Sequence, residues 1–159
     1  MVEEKVQEVR VRVVVQRVTS ASVEIKVERT AAIGPGMLVL VGAEKGDVDA
    51  DADYLAQKCA QLRIFEDDAG KMNLSLIDKG YEALVVSQFT LAGDARKGRR
   101  PSFDAAMEPV GAVRLVARFV ESLRGAGVAV HEGVFRAMMQ VSLCNDGPVT
   151  VLLDSKKVF

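Results

Sequence analysis

Valine stands at every second position of Val9-Arg10-Val11-Arg12-Val13-Val14-Val15, and the run continues through Gln16, Arg17 and Val18. Alternation at period two puts one set of side chains on a single face of an extended chain, and β-branched residues favour that conformation. A helix would scatter the same valines around its axis, so this stretch commits the N-terminal part of the chain to a sheet with a buried face. The preceding residues, 1–8, are polar and charged and are expected to form a flexible extension.

Thr19-Ser20 is expected to break the strand, and Ala21 to Val27 alternates again, so the two pieces read as a hairpin. Gly34-Pro35-Gly36 then precedes a nearly continuous apolar strand, Met37 to Val41, as expected of a strand covered on both faces. Asp47 is a candidate cap for a helix carrying Asp49, Asp51 and Asp53 in its first turns, where negative charge suits the helix dipole. Val48, Ala52, Leu55, Cys59 and Leu62 recur at spacings of four and three, the stripe of an amphipathic helix. Glu66-Asp67-Asp68-Ala69-Gly70 is a turn by composition and lacks the ligand spacing of a calcium loop.

Ala83 to Val86 is a further buried strand that delivers Ser87-Gln88-Phe89-Thr90. Pro109 fits the first turn of a second helix whose inward stripe is Val113, Val116, Val120 and Leu123, widened by Leu115 and Phe119, and ended by Gly125 and Gly127. Val128 to Val130, Met138 to Leu143 and Val149 to Leu153 read as strands. The fold class is therefore mixed α/β. Two helices lie on a mixed, barrel-like sheet in three layers, α/β/β, within one domain spanning residues 1–159.

Aromatic residues make up 5% of the chain and Trp is absent, so the core must be aliphatic. The 21 basic and 22 acidic residues leave a net charge of −1, so any nucleic-acid contact must come from a local patch. No run approaches the ~20 apolar residues of a membrane span, and the charged start lacks the apolar region of a secretory signal, so a cytoplasmic location without membrane contact is expected. Cys59 and Cys144 lie far apart without a CxxC spacing, which points to two small buried residues rather than a disulfide or a zinc site. No metal and no cofactor is expected.

Three segments carry the chemistry. Ser87, Gln88 and Thr90 offer two hydroxyls and an amide at a strand end but no general base, and the single histidine, His131, stands well removed in sequence. These groups can serve catalysis or can tie down backbone at the strand end. Arg96, Lys97, Arg99 and Arg100 place four cations in five residues, either a solvated loop or a phosphate contact. Gly147-Pro148 is on its face a turn.

Taken together, Val14 to Val23, Ile33-Gly34-Pro35-Gly36, Leu62-Arg63-Ile64-Phe65, Gly70 to Ser75, Ser87 to Leu91, Arg96 to Phe103 and Asn145 to Thr150 resemble the D-aminoacyl-tRNA deacylase family. The resemblance runs in order from about Val13 to Ser155. It implies a homodimer that hydrolyses the ester between a D-amino acid and the terminal adenosine of tRNA, with D-aminoacyl-tRNA as its partner. It further implies that Ser87, Gln88, Phe89 and Thr90 line the site for the aminoacyl adenosine. Gly147 and a cis Pro148 would enter that site from the other subunit to test chirality, with Arg17 and Met139 in support and Arg96, Lys97, Arg99 and Arg100 on the tRNA. A non-catalytic RNA-binding or dimerisation module is the alternative. The chain departs from the family pattern at Lys26-Val27-Glu28-Arg29, where an Asp-Gly-type turn is common, and in its first nine residues.

Overall fold

The computed structural model describes residues 11–157. Val9 and the 1–8 extension lie outside them. The element order is β1 (Arg12–Ile25), β2 (Glu28–Ile33), β3 (Gly36–Gly42), α1 (Asp49–Gln61), β4 (Phe65–Glu66), β5 (Met72–Leu74), α2 (Leu76–Lys79), β6 (Glu82–Ser87), a 3-10 turn (Phe89–Ala92), α3 (Pro109–Gly125), β7 (Val130–Glu132) and β8 (Gln140–Asp154).

β1 is the spine. One of its edges pairs antiparallel with β8 along almost its whole length, and the other pairs first with β3 and then with β2. β6 adds to β3 and β7 to β6, both parallel. Val13 and Val15 of β1, Met37, Val39 and Val41 of β3 and Val85 of β6 face α1 and α3, where Leu55, Cys59, Phe119 and Leu123 close the main core. The opposite face buries Leu38, Leu84 and Val86 under Val18, Ala21 and Val23, as the second half of β1 and β2 curl over the sheet. That curl makes the third layer, and it explains why β3 and β6 read as unbroken apolar runs.

Thr19-Ser20 does not end the first strand. Both residues are exposed, and β1 runs through them with its pairing register to β8 shifted between Gln16 and Val18 and again between Val18 and Ser20. The polar pair marks a bend, because a register shift adds twist without ending the strand. The hairpin turn lies instead at Lys26-Val27, both left-handed with φ of 50° and 61°, the two-residue geometry that matches strand twist. This lies within the Lys26–Arg29 stretch that the family resemblance marked as the turn, but neither residue is the Gly or Asn usual there, so composition did not signal its type.

Other differences have equally local causes. The segments Met138–Leu143 and Val149–Leu153 belong to one strand, β8, from Gln140. β7 begins at Val130, two residues later than read. A third, four-residue helix, α2, follows Ser75, which forms a capping box with Asp78. Val48 rather than Asp47 occupies the cap position of α1, and Asp51 accepts from the Val48 N–H at 2.9 Å. Val48 and Val113 are exposed, while Ala112 fills the inward place on α3. Cys59 is buried, which pushes its thiol up to about 12, but Cys144 is exposed on β8. No helix of the described residues is long and apolar enough to cross a membrane.

Candidate active site

β6 ends at Ser87, and the Gln88 N–H continues its pairing by donating to the Val41 carbonyl at 2.8 Å. The chain then coils into the 3-10 turn, which sits directly on Gly42. A Cβ at Gly42 would stand 2.8 Å from the Gln88 carbonyl oxygen and 2.9 Å from Leu91 Cβ, so the turn can only lie this close over glycine. The Gln88 side-chain amide donates to Thr90 Oγ1. Phe89, more than half exposed, meets Phe103 edge to face with ring centroids 5.3 Å apart.

Ser87, Gln88 and Phe89 line an open cavity of about 670 Å³, together with Phe103, Phe135 and Met139 among others. Thr90 is not among the lining residues and reaches the rim only through its contact with Gln88. Arg136, which the sequence reading passed over, lines the cavity with a left-handed φ of 63°. It is the one ionisable side chain among the lining residues, so no group able to take a proton near neutrality borders the space. His131 is on β7, bonded through Nε2 to Glu82 Oε2 at 2.6 Å, and does not line this cavity.

Gly147 and Pro148 do not line this cavity. Gln16 pairs with Thr150 and Val18 with Asn145, so Arg17 alone on β1 stands opposite four residues, Asp146 to Val149. β8 therefore throws out a bend there, and the Gly147–Pro148 peptide within it is cis. Two side chains hold the bend. Asn145 Oδ1 accepts from the Val149 N–H at 2.7 Å, and its amide donates to the Val149 carbonyl at 3.2 Å. Arg17, 7% exposed, donates from Nε to the Asp146 carbonyl at 2.8 Å and from Nη1 to the Ile64 carbonyl at 2.7 Å. Gly147, at φ 141°, has no room for a Cβ, which would lie 2.7 Å from Val149 Cγ2 and 3.2 Å from Arg17 Nη2. The sequence placed Asn145 in the Asn145–Thr150 motif without a role for its side chain, although an Asn two residues before a Gly-Pro pair is well placed to close a loop on its own backbone.

The basic loop is closed at its base by Asp94 and Ser102, which exchange backbone hydrogen bonds of 2.7 and 2.8 Å. Its four cations are not equivalent. Arg96 is gripped by Asp94 through two hydrogen bonds of 2.9 and 2.7 Å, and this holds the Asp94 carboxyl well below the usual carboxylate range. Lys97, Arg99 and Arg100 are exposed, with no ion pair among the described residues.

The sequence profile of the D-Tyr-tRNA(Tyr) deacylase family matches residues 14–154, nearly the whole described chain. The chain belongs to that family. Among deacylase-family relatives, a D-aminoacyl-tRNA deacylase of Myxococcus xanthus (strain DK1622) is 59% identical over 144 residues, covering 91% of this chain and 94% of the relative. One from Koribacter versatilis (strain Ellin345) is 56% identical over 148 residues, covering 93% and 99%. Of solved structures, the c-Myc DNA Unwinding Element Binding Protein superposes with a TM-score of 0.84 at 42% identity, covering 89% of this chain and 97% of that one. A probable eukaryotic D-amino acid tRNA deacylase shares the fold at 19% identity, with a TM-score of 0.79 over 91% and 99%.

Proposed function

We propose that this chain hydrolyses the ester joining a D-amino acid to the terminal adenosine of tRNA, in the cytoplasm and as a homodimer. The observation that carries the reading is the bend Asp146–Val149. Asn145 and Arg17 clamp it outward from β8, and it has no place in its own subunit's cavity. A partner subunit supplies the receiving site. β8 pairs only with β1 among the described strands, so its other edge is free, and Leu143 and Leu152 are exposed along it. A long free edge with apolar residues is what a second copy would cover.

In this arrangement the partner's glycine and proline present bare main chain beside the ester. Glycine permits close approach and the proline ring fixes φ, so an L-substituent meets atoms that cannot move aside while a D-substituent points away. Side-chain identity is then hardly read, which suits an enzyme that must accept many D-amino acids.

The cavity wall offers no proton acceptor. An aminoacyl ester is already activated, so positioning and oxyanion stabilisation suffice. The neighbouring ribose 2′-hydroxyl assists attack by water. The N–H groups of Phe89 and Thr90, at the start of the 3-10 turn, have no acceptor within the turn and receive the oxyanion. A Thr90 acyl-enzyme is the rival route. If Thr90→Val abolishes turnover with binding retained while a 2′-deoxyadenosine substrate still reacts, Thr90 is the nucleophile instead.

The primary test is incubation with matched D- and L-aminoacyl-tRNA without added metal. Preferential loss of the D-ester supports the enzyme. Equal loss, or none, leaves a nucleic-acid-binding or dimerisation module.

A further inference from the structure

The 3-10 turn is tied to the rest of the fold from a second side, by a residue that neither the motifs nor the cavity involve. Arg12, at the start of β1, donates from Nη1 to the Leu91 carbonyl at 3.1 Å, one residue beyond Thr90. Carbonyls at the end of a helical turn lack an acceptor role within it, and a cation there meets the negative end of the turn. The guanidinium is itself held in place. Its Nε lies 3.8 Å from Glu44 Oε1 and 4.0 Å from Asp154 Oδ2, two carboxylates that are 7% and 3% exposed.

Four pieces of chain thus meet at one planar group: the start of β1, the segment just after β3, the end of β8 and the turn beside the cavity. Gly42 fixes how close the turn lies to β3. Arg12 fixes its far end, and with it the direction of the peptides that follow Gln88. Burial of the two carboxylates, 3.8 and 4.0 Å from Nε, leaves their attraction for the half-buried guanidinium less screened than between surface groups.

We propose that Arg12 is a positioning residue for the deacylation, holding the 3-10 turn so that the Phe89 and Thr90 N–H groups stay aimed at the ester. This rests on the deacylase reading above. Arg12 touches no substrate, so its loss moves turnover rather than binding, as expected for an interaction whose effect is felt in the transition state. Guanidinium geometry is required, because a planar, delocalised cation can donate to the Leu91 carbonyl from Nη1 while its Nε end keeps charge beside both carboxylates, and a compact ammonium cannot span the two.

The test compares Arg12→Gln and Arg12→Lys with the wild-type protein on D-aminoacyl-tRNA, well below each melting temperature. We expect Arg12→Gln to lower kcat at least about tenfold with KM within about threefold. Arg12→Lys, whose charge still compensates Glu44 and Asp154, should fold normally and recover part but not all of that loss. Should Arg12→Gln fail to fold, Arg12→Lys alone decides. Wild-type kcat in a folded Arg12→Lys, or losses in both variants that vanish on cooling in step with regained structure, overturns the proposal. Wild-type protein inactive on the D-ester would instead sink the deacylase reading itself.

Discussion

Asp47 shows how much one side chain can owe to its surroundings. It was read as a helix cap, but its carboxylate turns back to accept the Glu44 N–H at 2.7 Å, and it is 8% exposed, beside Glu44 and Asp51. Burial first, and then those two acids, push its pKa up to about 7 against the pull of that hydrogen bond and of Lys156. Between about pH 4 and 7 the folded chain therefore keeps a proton that the unfolded chain has released. Stability must fall as pH rises through that window and level off above it, at no more than about 1.4 kcal/mol per pH unit. Asp47→Asn keeps an acceptor for Glu44 and removes the ionisation. Thermal melts from pH 5 to 8 should show the wild type losing stability relative to this variant as pH rises; parallel curves would contradict the assignment.

Among the elements, the basic loop carries the clearest consequence. Asp94 already neutralises Arg96, so charge counted from the sequence overstates what phosphate can meet. Replacing Lys97, Arg99 and Arg100 together by alanine should flatten the salt dependence of tRNA binding by about 2 in log–log slope, whereas Arg96→Ala should change it far less. Filter binding over a salt series measures both. The sequence made the strands and helices legible wherever apolar periodicity was long. Val13 to Val15, Met37 to Val41, Ala83 to Val86 and, on α3, Val116, Val120 and Leu123 lie where they were expected, Val113 alone of that stripe being exposed. It concealed what depends on pairing partners. The bend in β1 at Thr19-Ser20 and the excursion at Asp146–Val149 arise from register between β1 and the distant β8, which no local pattern encodes. The Ser87–Thr90 and Gly147–Pro148 segments were visible as motifs. The roles of Asn145, Arg136 and Arg12 were not, because each acts through a backbone group or a cavity that exists only in the folded chain.

At the scale of the molecule, the proposed function makes the cavity and the bend two halves of one site that meet only between copies. Mixing subunits tests this. A Gln88→Ala chain keeps the bend and a Gly147→Ala chain keeps the cavity, so each alone should be nearly inactive. Random reassociation makes about half of the dimers mixed, and one of the two sites in each would be intact. About a quarter of wild-type activity should then return on mixing, and none if each subunit supplies its own bend. Sedimentation of the wild-type protein should show a dimer, and a monomer with full activity would rule the arrangement out.

One further property follows from the way β1 begins. Val11 and Ser155 bind each other twice, the Val11 N–H reaching Ser155 Oγ at 3.0 Å and the Ser155 N–H reaching the Val11 carbonyl at 3.1 Å. Positions 11 and 155 thus lie side by side, and a short covalent splice made directly between them would leave every described strand beside its present neighbours. Such a circularised polypeptide could be cut open elsewhere, at Gly98 for instance, giving a rearranged gene order with the same architecture.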